Sequence, residues 1–322
     1  MQSRSLRRMS QRPIGPRRGE FKRRLENRFR DYQLYSLERH RRMSRSGARE
    51  VLRNVSLAFG ATSVFGEPIQ FRYKGFTIPC DLAEMTGSGH EGWNEVIAEH
   101  LECYRLWMPI EPTSRVLEIG CGIGRDAMAL TDVLSSGGSY VGVDITRPSI
   151  EWCQAEITSR FPNFAFHHLD IKSDMYNPQG NQRAESMSLP LGDGSVDRVV
   201  LHSVFTHMFR EPIAHYLREI RRCLADAGLV MASFFIVDND TAIDSGASSL
   251  TGPLQFRHQH PEATRVNDPK HPEAAVAFSL DRVEEMARDA HLRIIDVHPG
   301  RWREPSSGAA NGQDLVILGP TT

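Results

Sequence analysis

The chain has 322 residues, 40% hydrophobic and 25% charged, with a formal net charge of −1. That is room for one large α/β domain with additions, at an ordinary globular composition. No apolar run approaches the roughly 18 residues of a membrane span, and no apolar core of a signal peptide follows the arginine-rich start. Cys80, Cys103, Cys121, Cys153 and Cys223 form no C-x-x-C pair, so reduced thiols and a cytoplasmic location are expected. The near-zero charge hides an asymmetry. Residues 1–53 carry 17 Lys or Arg against 5 Asp or Glu, which leaves 22 basic and 35 acidic residues for the remainder.

Residues 1–60 read as a basic extension, partly without fixed structure and partly helical, with Phe21, Leu25, Phe29, Tyr32 and Tyr35 at helical spacing. Residues 61–110 read as a lead-in covering the main domain's site: an extended stretch through Phe65, Ile69, Phe71, Tyr73, Phe76 and Ile78, then a helix over 94–108. Residues 111–322 form the main domain. Strands are expected at 115–119, 139–144, 164–169, 195–202 and 229–237, and helices at 126–134, from Thr146 as N-cap, and at 212–224 with a turn ending at Gly228. Between 238 and 278 the chain is polar and too long for an ordinary connection, which suggests a lid-like insertion with Arg257, His258 or His260 against substrate. A helix at 280–290 and strands at 292–298 and 314–318 follow. Two strands without a long helix between them must pair antiparallel. The fold class is therefore α/β: a doubly wound, mostly parallel sheet with a C-terminal antiparallel hairpin and a basic helical N-terminal extension.

The run Arg115-Val-Leu-Glu-Ile-Gly-Cys-Gly-Ile-Gly-Arg125 leads a buried strand into a glycine turn and a helix. Without Cβ atoms, the turn lets a ligand lie against the backbone. Asp144 ends the next strand, twenty residues after Gly124, so a nucleoside is expected at the carboxyl ends of adjacent strands. Two cofactor classes compete. Gly122-Ile-Gly124-Arg-Asp-Ala127 also satisfies the dinucleotide pattern G-x-G-x-x-A. Glu118 separates them by charge: a carboxylate beside the turn repels a pyrophosphate and suits a ligand with an ammonium and a sulfonium.

With Glu118-Ile-Gly120-Cys-Gly122-Ile-Gly124 complete, the sequence resembles the class I S-adenosylmethionine-dependent methyltransferases, whose first motif is E-x-G-x-G-x-G. His168-Leu-Asp-Ile171, Met187 to Asp197 and Glu219 to Gly228 are similar to later segments of the same family, so the resemblance covers about 85–319. Gly142-Val-Asp-Ile-Thr146, Tyr176-Asn-Pro-Gln-Gly180 and Ser203-Val-Phe-Thr-His-Met208 look like a narrower bacterial group whose substrate is unassigned. The resemblance implies a Rossmann-like seven-stranded sheet and S-adenosylmethionine as cofactor. Gly120, Gly122 and Gly124 would receive the methionine part, with Glu118 orienting its ammonium end. Asp144 would take the ribose; Ile145, Asp170 and Ile171 would flank the adenine; Cys121 and Ser203 would border the cofactor.

His207, just past the fourth strand, is the candidate general base, since imidazole titrates near neutral pH. His202 is expected to point into sheet–helix packing. Met85-Thr-Gly87 is a candidate contact for the methionine end. No metal is expected, because His258 and His260 lack a third ligand at a familiar spacing. The expected reaction is methyl transfer to an oxygen or nitrogen of a small-molecule acceptor, such as a glycan or secondary metabolite. The alternatives are a nucleic-acid methyltransferase using the basic arm and a non-catalytic S-adenosylmethionine-binding protein. Docking on the acidic surface of its own catalytic domain, or a homodimer through the N-terminal extension, is favoured over nucleic-acid or anionic-membrane binding as the arm's role.

Overall fold

The computed structural model describes residues 63–64, 67–86, 89–237, 248–249, 252–303 and 308–321; the helical reading of 20–58 and the Gly87 contact lie outside them. The chain divides into two units, Met1–Ile69 and Gln70–Thr322. In the first, β1 (Ser63–Val64) and β2 (Glu67–Pro68) pair antiparallel.

The second unit begins with an antiparallel hairpin, β3 (Gln70–Tyr73) and β4 (Phe76–Pro79), followed by helices α1 (Cys80–Glu84) and α2 (Trp93–Trp107). Then β5 (Arg115–Ile119), α3 (Arg125–Leu130), β6 (Ser139–Asp144), α4 (Arg147–Cys153), β7 (Phe164–His168), β8 (Val196–Leu201), α5 (Arg210–Cys223) and β9 (Leu224–Phe234) alternate in βα units. Past β9 come β10 (Ser248–Ser249), β11 (Gly252–Pro253), β12 (His258–His260), β13 (Ala263–Val266) and β14 (Val276–Ala277). The unit closes with α6 (Leu280–Asp289), β15 (Leu292–His298) and β16 (Asp314–Pro320).

Seven strands form the main sheet in the order β15-β16-β9-β8-β5-β6-β7. β5 pairs parallel with both β6 and β8, while β16 runs antiparallel between β9 and β15. Strand order therefore reverses at β5, and the crevice beyond its carboxyl end is where such sheets bind ligands. Alternation along the central strands builds a core on each face. Leu117, Ile119, Val199 and Leu201 join Ile213, Leu217, Val283 and Met286 of α5 and α6. Val116 and Val200 join Trp93, Ile97 and Tyr104 of α2 and Met128 of α3 on the other face. Both faces are covered, which is why these strands read as continuous apolar runs rather than as polar–apolar alternation.

Three local readings change. The helix after the glycine turn is regular only to Leu130, with 131–133 as turn. β9 starts at Leu224, directly after α5: Val196 pairs with Leu224 and Arg198 with Leu229, so the segment read as a helix-ending turn is a bulge within the strand. Within the insertion, residues 258–277 hold a three-stranded antiparallel sheet, which sequence reading did not anticipate.

Candidate active site

The turn after β5 hooks over β6. The backbone N–H groups of Gly120 and Cys121 both donate to the Val143 carbonyl, at 2.8 and 3.2 Å. Gly120 has φ +78°, and a Cβ there would lie 2.4 Å from Val204 Cγ2, so both conformation and space demand glycine. Gly122 faces Thr86, whose Cγ2 a Cβ would meet at 3.1 Å. Gly124, by contrast, does not line the cleft. A Cβ there would strike Ile157 Cδ1 at 2.8 Å and Cys153 Sγ at 3.1 Å, so this glycine serves helix packing.

Asp144, at the end of β6, is buried with Gly122 N–H on Oδ2 at 2.7 Å. Its Oδ1 accepts from Thr146 N–H at 2.7 Å and from the Thr146 hydroxyl. Thr146 thus holds the N-cap position of α4, but its hydroxyl serves Asp144 instead of capping the helix. Ile145, Leu169 and Ile171 line the cleft beside Asp144, whereas Asp170 does not. Its carboxylate accepts from the Asn181 amide at 2.7 Å. Alternation about Leu169 and Ile171 turns the intervening side chain away from the cavity.

Glu118 lies beneath the turn and accepts the Tyr140 hydroxyl. Burial, then the nearby Asp126 charge, push its carboxyl well above the usual range. Burial thus disfavours the charged form on which the sequence-based charge argument for this residue relies. Cys121 lines the cleft as a buried thiol, pushed up by desolvation.

The opposite wall comes from β8, α2, α3 and the C-terminal strands. Ser203, with φ +58°, donates its N–H to Ser233 Oγ at 2.7 Å and accepts from Gln313 Nε2 at 2.9 Å. His207 lines the cleft; its Nδ1 lies 3.0 Å from the Glu273 carbonyl, and burial keeps it below its ordinary pKa. From the 238–278 insertion, Leu254, Glu273, Ala274 and Ala275 reach the cavity, while Arg257, His258 and His260 do not. Instead the His260 ring stacks on Phe209.

A buried relay lies where sequence reasoning saw no site. His100 Nδ1 donates to both oxygens of Asp126, at 3.0 and 2.8 Å, and the Tyr104 hydroxyl donates to Asp126 Oδ2. His202 Nε2 lies 3.0 Å from the Tyr104 oxygen, and its ring stacks on His100 with centroids 3.6 Å apart. His202 thus borders the cleft instead of filling the sheet–helix packing. Burial raises the pKa of Asp126, but His100, His202 and Arg125 outweigh that and hold it below the usual range. Nothing local in sequence links positions 26 and 98 residues apart; the one available signal was Asp126 itself, directly after the glycine motif. Among the described residues, His100, Asp126 and His202 form the group whose ligand atoms lie close enough to suggest a metal. An ion shared by two imidazoles must lie near the plane of each ring. Rings stacked face to face, 10° from parallel, put their lone pairs in separate planes, and Asp126 is already engaged by two donors. A hydrogen-bonded relay fits these residues better than a metal.

Asp314 fixes the remaining wall. Its carboxylate accepts Ile236 N–H at 2.7 Å, Gly300 N–H at 2.8 Å and the Trp302 indole N–H at 2.8 Å. That seats Trp302 against Phe235, with ring centroids 5.2 Å apart, and both rings line the cleft. The cavity encloses about 1140 Å³, above the ~300–1,000 Å³ usual for one small ligand, so two can sit side by side.

Residues 117–232 match the family model described as a methyltransferase domain. An arsenite methyltransferase of Aquipseudomonas alcaligenes is 26% identical over 148 residues, which are 46% of this chain and 40% of that protein. The chain thus spans well under half the length of that relative. Among solved structures, 1,6-didemethyltoxoflavin-N1-methyltransferase of Burkholderia thailandensis is 18% identical, with a TM-score of 0.44, over 76% of this chain and 88% of that one. A SAM-dependent methyltransferase of Aquifex aeolicus is 13% identical, with a TM-score of 0.44, over 75% and 97%.

Proposed function

We propose that the chain, whose residues 117–232 match a methyltransferase-domain model, binds S-adenosylmethionine in this cleft and methylates an oxygen or nitrogen of a small-molecule acceptor. The observation that carries the reading is one cavity bordered by the glycine turn and Asp144 on one side and by an aromatic wall on the other. The residues present fit the cofactor. Gly120 and Gly122 keep the turn backbone at the cleft free of side chains, and Asp144 keeps a lone pair on Oδ2 for a ribose hydroxyl beyond the three bonds it already accepts. Ile145, Leu169 and Ile171 give an apolar bed for adenine, and Arg125, which lines the cleft near Thr86, supplies a cation for the carboxylate end. When bound, the cofactor supplies a methyl group already activated by its sulfonium.

The protein's part is then alignment and exclusion of water. Ser203, held between Ser233 and Gln313, fixes the backbone at the end of β8. His207 anchors the 273–275 stretch over the cavity through its Nδ1. Calorimetric titration with S-adenosylhomocysteine and, separately, with NAD tests the reading. Micromolar affinity for the first alone is expected; binding of NAD alone overturns it. Among the described residues, no helix is long and apolar enough to cross a membrane.

A further inference from the structure

We propose that His100, oriented by Asp126, takes up the proton of an acidic hydroxyl, a phenol or enol, on an aromatic acceptor seated against Phe235 and Trp302. The inference rests on the methyltransferase reading and names its acceptor class.

The hydrogen bonds fix both tautomers. Tyr104 has one proton and gives it to Asp126, so His202 must donate from Nε2 to the Tyr104 oxygen. His100 donates from Nδ1 to the same carboxylate. Each neutral ring therefore keeps one lone pair: Nε2 of His100 and Nδ1 of His202. With the rings stacked 3.6 Å apart, only one of the two can be protonated. His202 is disfavoured, since burial, then His100, push its pKa well below the ordinary value, and the Tyr104 oxygen, not a carboxylate, faces its Nε2. His100 touches the ionised Asp126 directly, and an imidazolium there is compensated. His207 has no such carboxylate and faces a backbone carbonyl instead.

The acceptor class follows from what lies beside the relay. Glu99, next to His100 on α2, pairs with Arg301, next to Trp302. That ion pair ties the relay to the aromatic wall. The Trp302 indole N–H is spent on Asp314, so what Phe235, Trp302 and Leu254 show the cavity is a small apolar patch. A flat apolar ligand suits such a patch. In the step itself, the acceptor's O–H bond breaks, the electron pair stays on oxygen, and the proton bonds to Nε2 of His100. The net charge of the His100–Asp126 pair goes from −1 to 0. Imidazole accepts a proton from a phenol or enol far more readily than from an aliphatic alcohol, because proton transfer is efficient between groups of near-matched acidity.

The test uses the full chain saturated with S-adenosylhomocysteine and 4-nitrophenol as probe, whose phenolate absorbs in the visible. Wild type should bind the probe as phenolate at a pH where it is mostly protonated in water. His100→Gln, whose amide can still donate to Asp126, should retain its affinity for S-adenosylhomocysteine while the bound phenolate band falls at least about tenfold. In labelled wild-type protein the His100 ring ¹⁵N shifts should move to imidazolium values as the probe binds, a readout that needs no variant. Absence of probe binding, binding as neutral phenol, or an undiminished phenolate band in His100→Gln overturns the proposal. Loss of S-adenosylhomocysteine affinity in His100→Gln also overturns it, by assigning His100 to the cofactor. Failure of wild type to bind S-adenosylhomocysteine at all would instead overturn the methyltransferase reading beneath it.

Discussion

Replacing Asp314 with alanine should unfold the aromatic wall of the cleft before it touches anything else. The carboxylate is 2% exposed and is the acceptor for three buried donors: the Ile236 and Gly300 amides and the Trp302 indole. Each donor left unpaired costs roughly 1–3 kcal/mol. The three share one acceptor and do not add independently, so about 3–6 kcal/mol is expected, a large part of the ~5–15 kcal/mol that holds a typical domain folded. With a urea slope near ~3 kcal/mol/M, the midpoint should fall by about 1–2 M. Asp314→Asn keeps one oxygen and turns an amide NH₂ toward a donor, so it should lose roughly a third to a half as much. Urea denaturation followed by far-UV circular dichroism, with Trp302 emission as a local probe, measures both variants. An alanine variant that loses under about 1 kcal/mol, or that is milder than the asparagine variant, would refute the claim that one carboxylate holds this wall.

Asp144→Ala removes the acceptor proposed for the ribose, and hydrogen bonds to a charged group are worth about 1.5–3 kcal/mol, so affinity for S-adenosylhomocysteine should drop roughly 10- to 150-fold by calorimetry; near-normal binding contradicts the placement. Gly120→Ala combines a left-handed backbone penalty of about 1–2 kcal/mol with overpacking against Val204 of about 1–3 kcal/mol. Its thermal midpoint should fall by several degrees, and an unchanged midpoint would show that the turn relaxes. His202 sits below its usual 6.5 because burial disfavours its cation. Between its folded value and 6.5 the unfolded chain binds more protons, so this contribution to stability is complete above 6.5 and is lost as pH falls through that window. His207 is shifted the same way and adds a term of the same sign. Melting curves between about pH 7.5 and about pH 5.5 should therefore show a smaller decline for His202→Gln than for wild type; equal declines would place the effect elsewhere.

The glycine-turn side of the cleft was legible because it is local. Glu118 through Gly124 is a contiguous strand and turn, and Asp144, Ile145 and Ile171 follow at strand ends where a period of two places them. Locality did not say which side chains reach the cavity. Asp170 sits one residue out of phase with the cavity. Gly124 belongs to helix packing. Glu118 reads as a charge in sequence, yet burial disfavours its charged form.

Amino-acid order alone determined the alternation of strands and helices, the glycine turn after β5 and the antiparallel closing pair, since each follows from periodicity, glycine placement and loop length. Tertiary structure alone decided which titratable groups meet. His100 comes from a helix before the sheet, Asp126 from the helix after the glycine turn and His202 from the end of β8, while Asp314 reaches back to residues 236, 300 and 302. Such partners are brought together by sheet order and helix packing. Hydrogen bonds across those distances leave no period or spacing in the chain, which is why that side of the cleft could not be read from it.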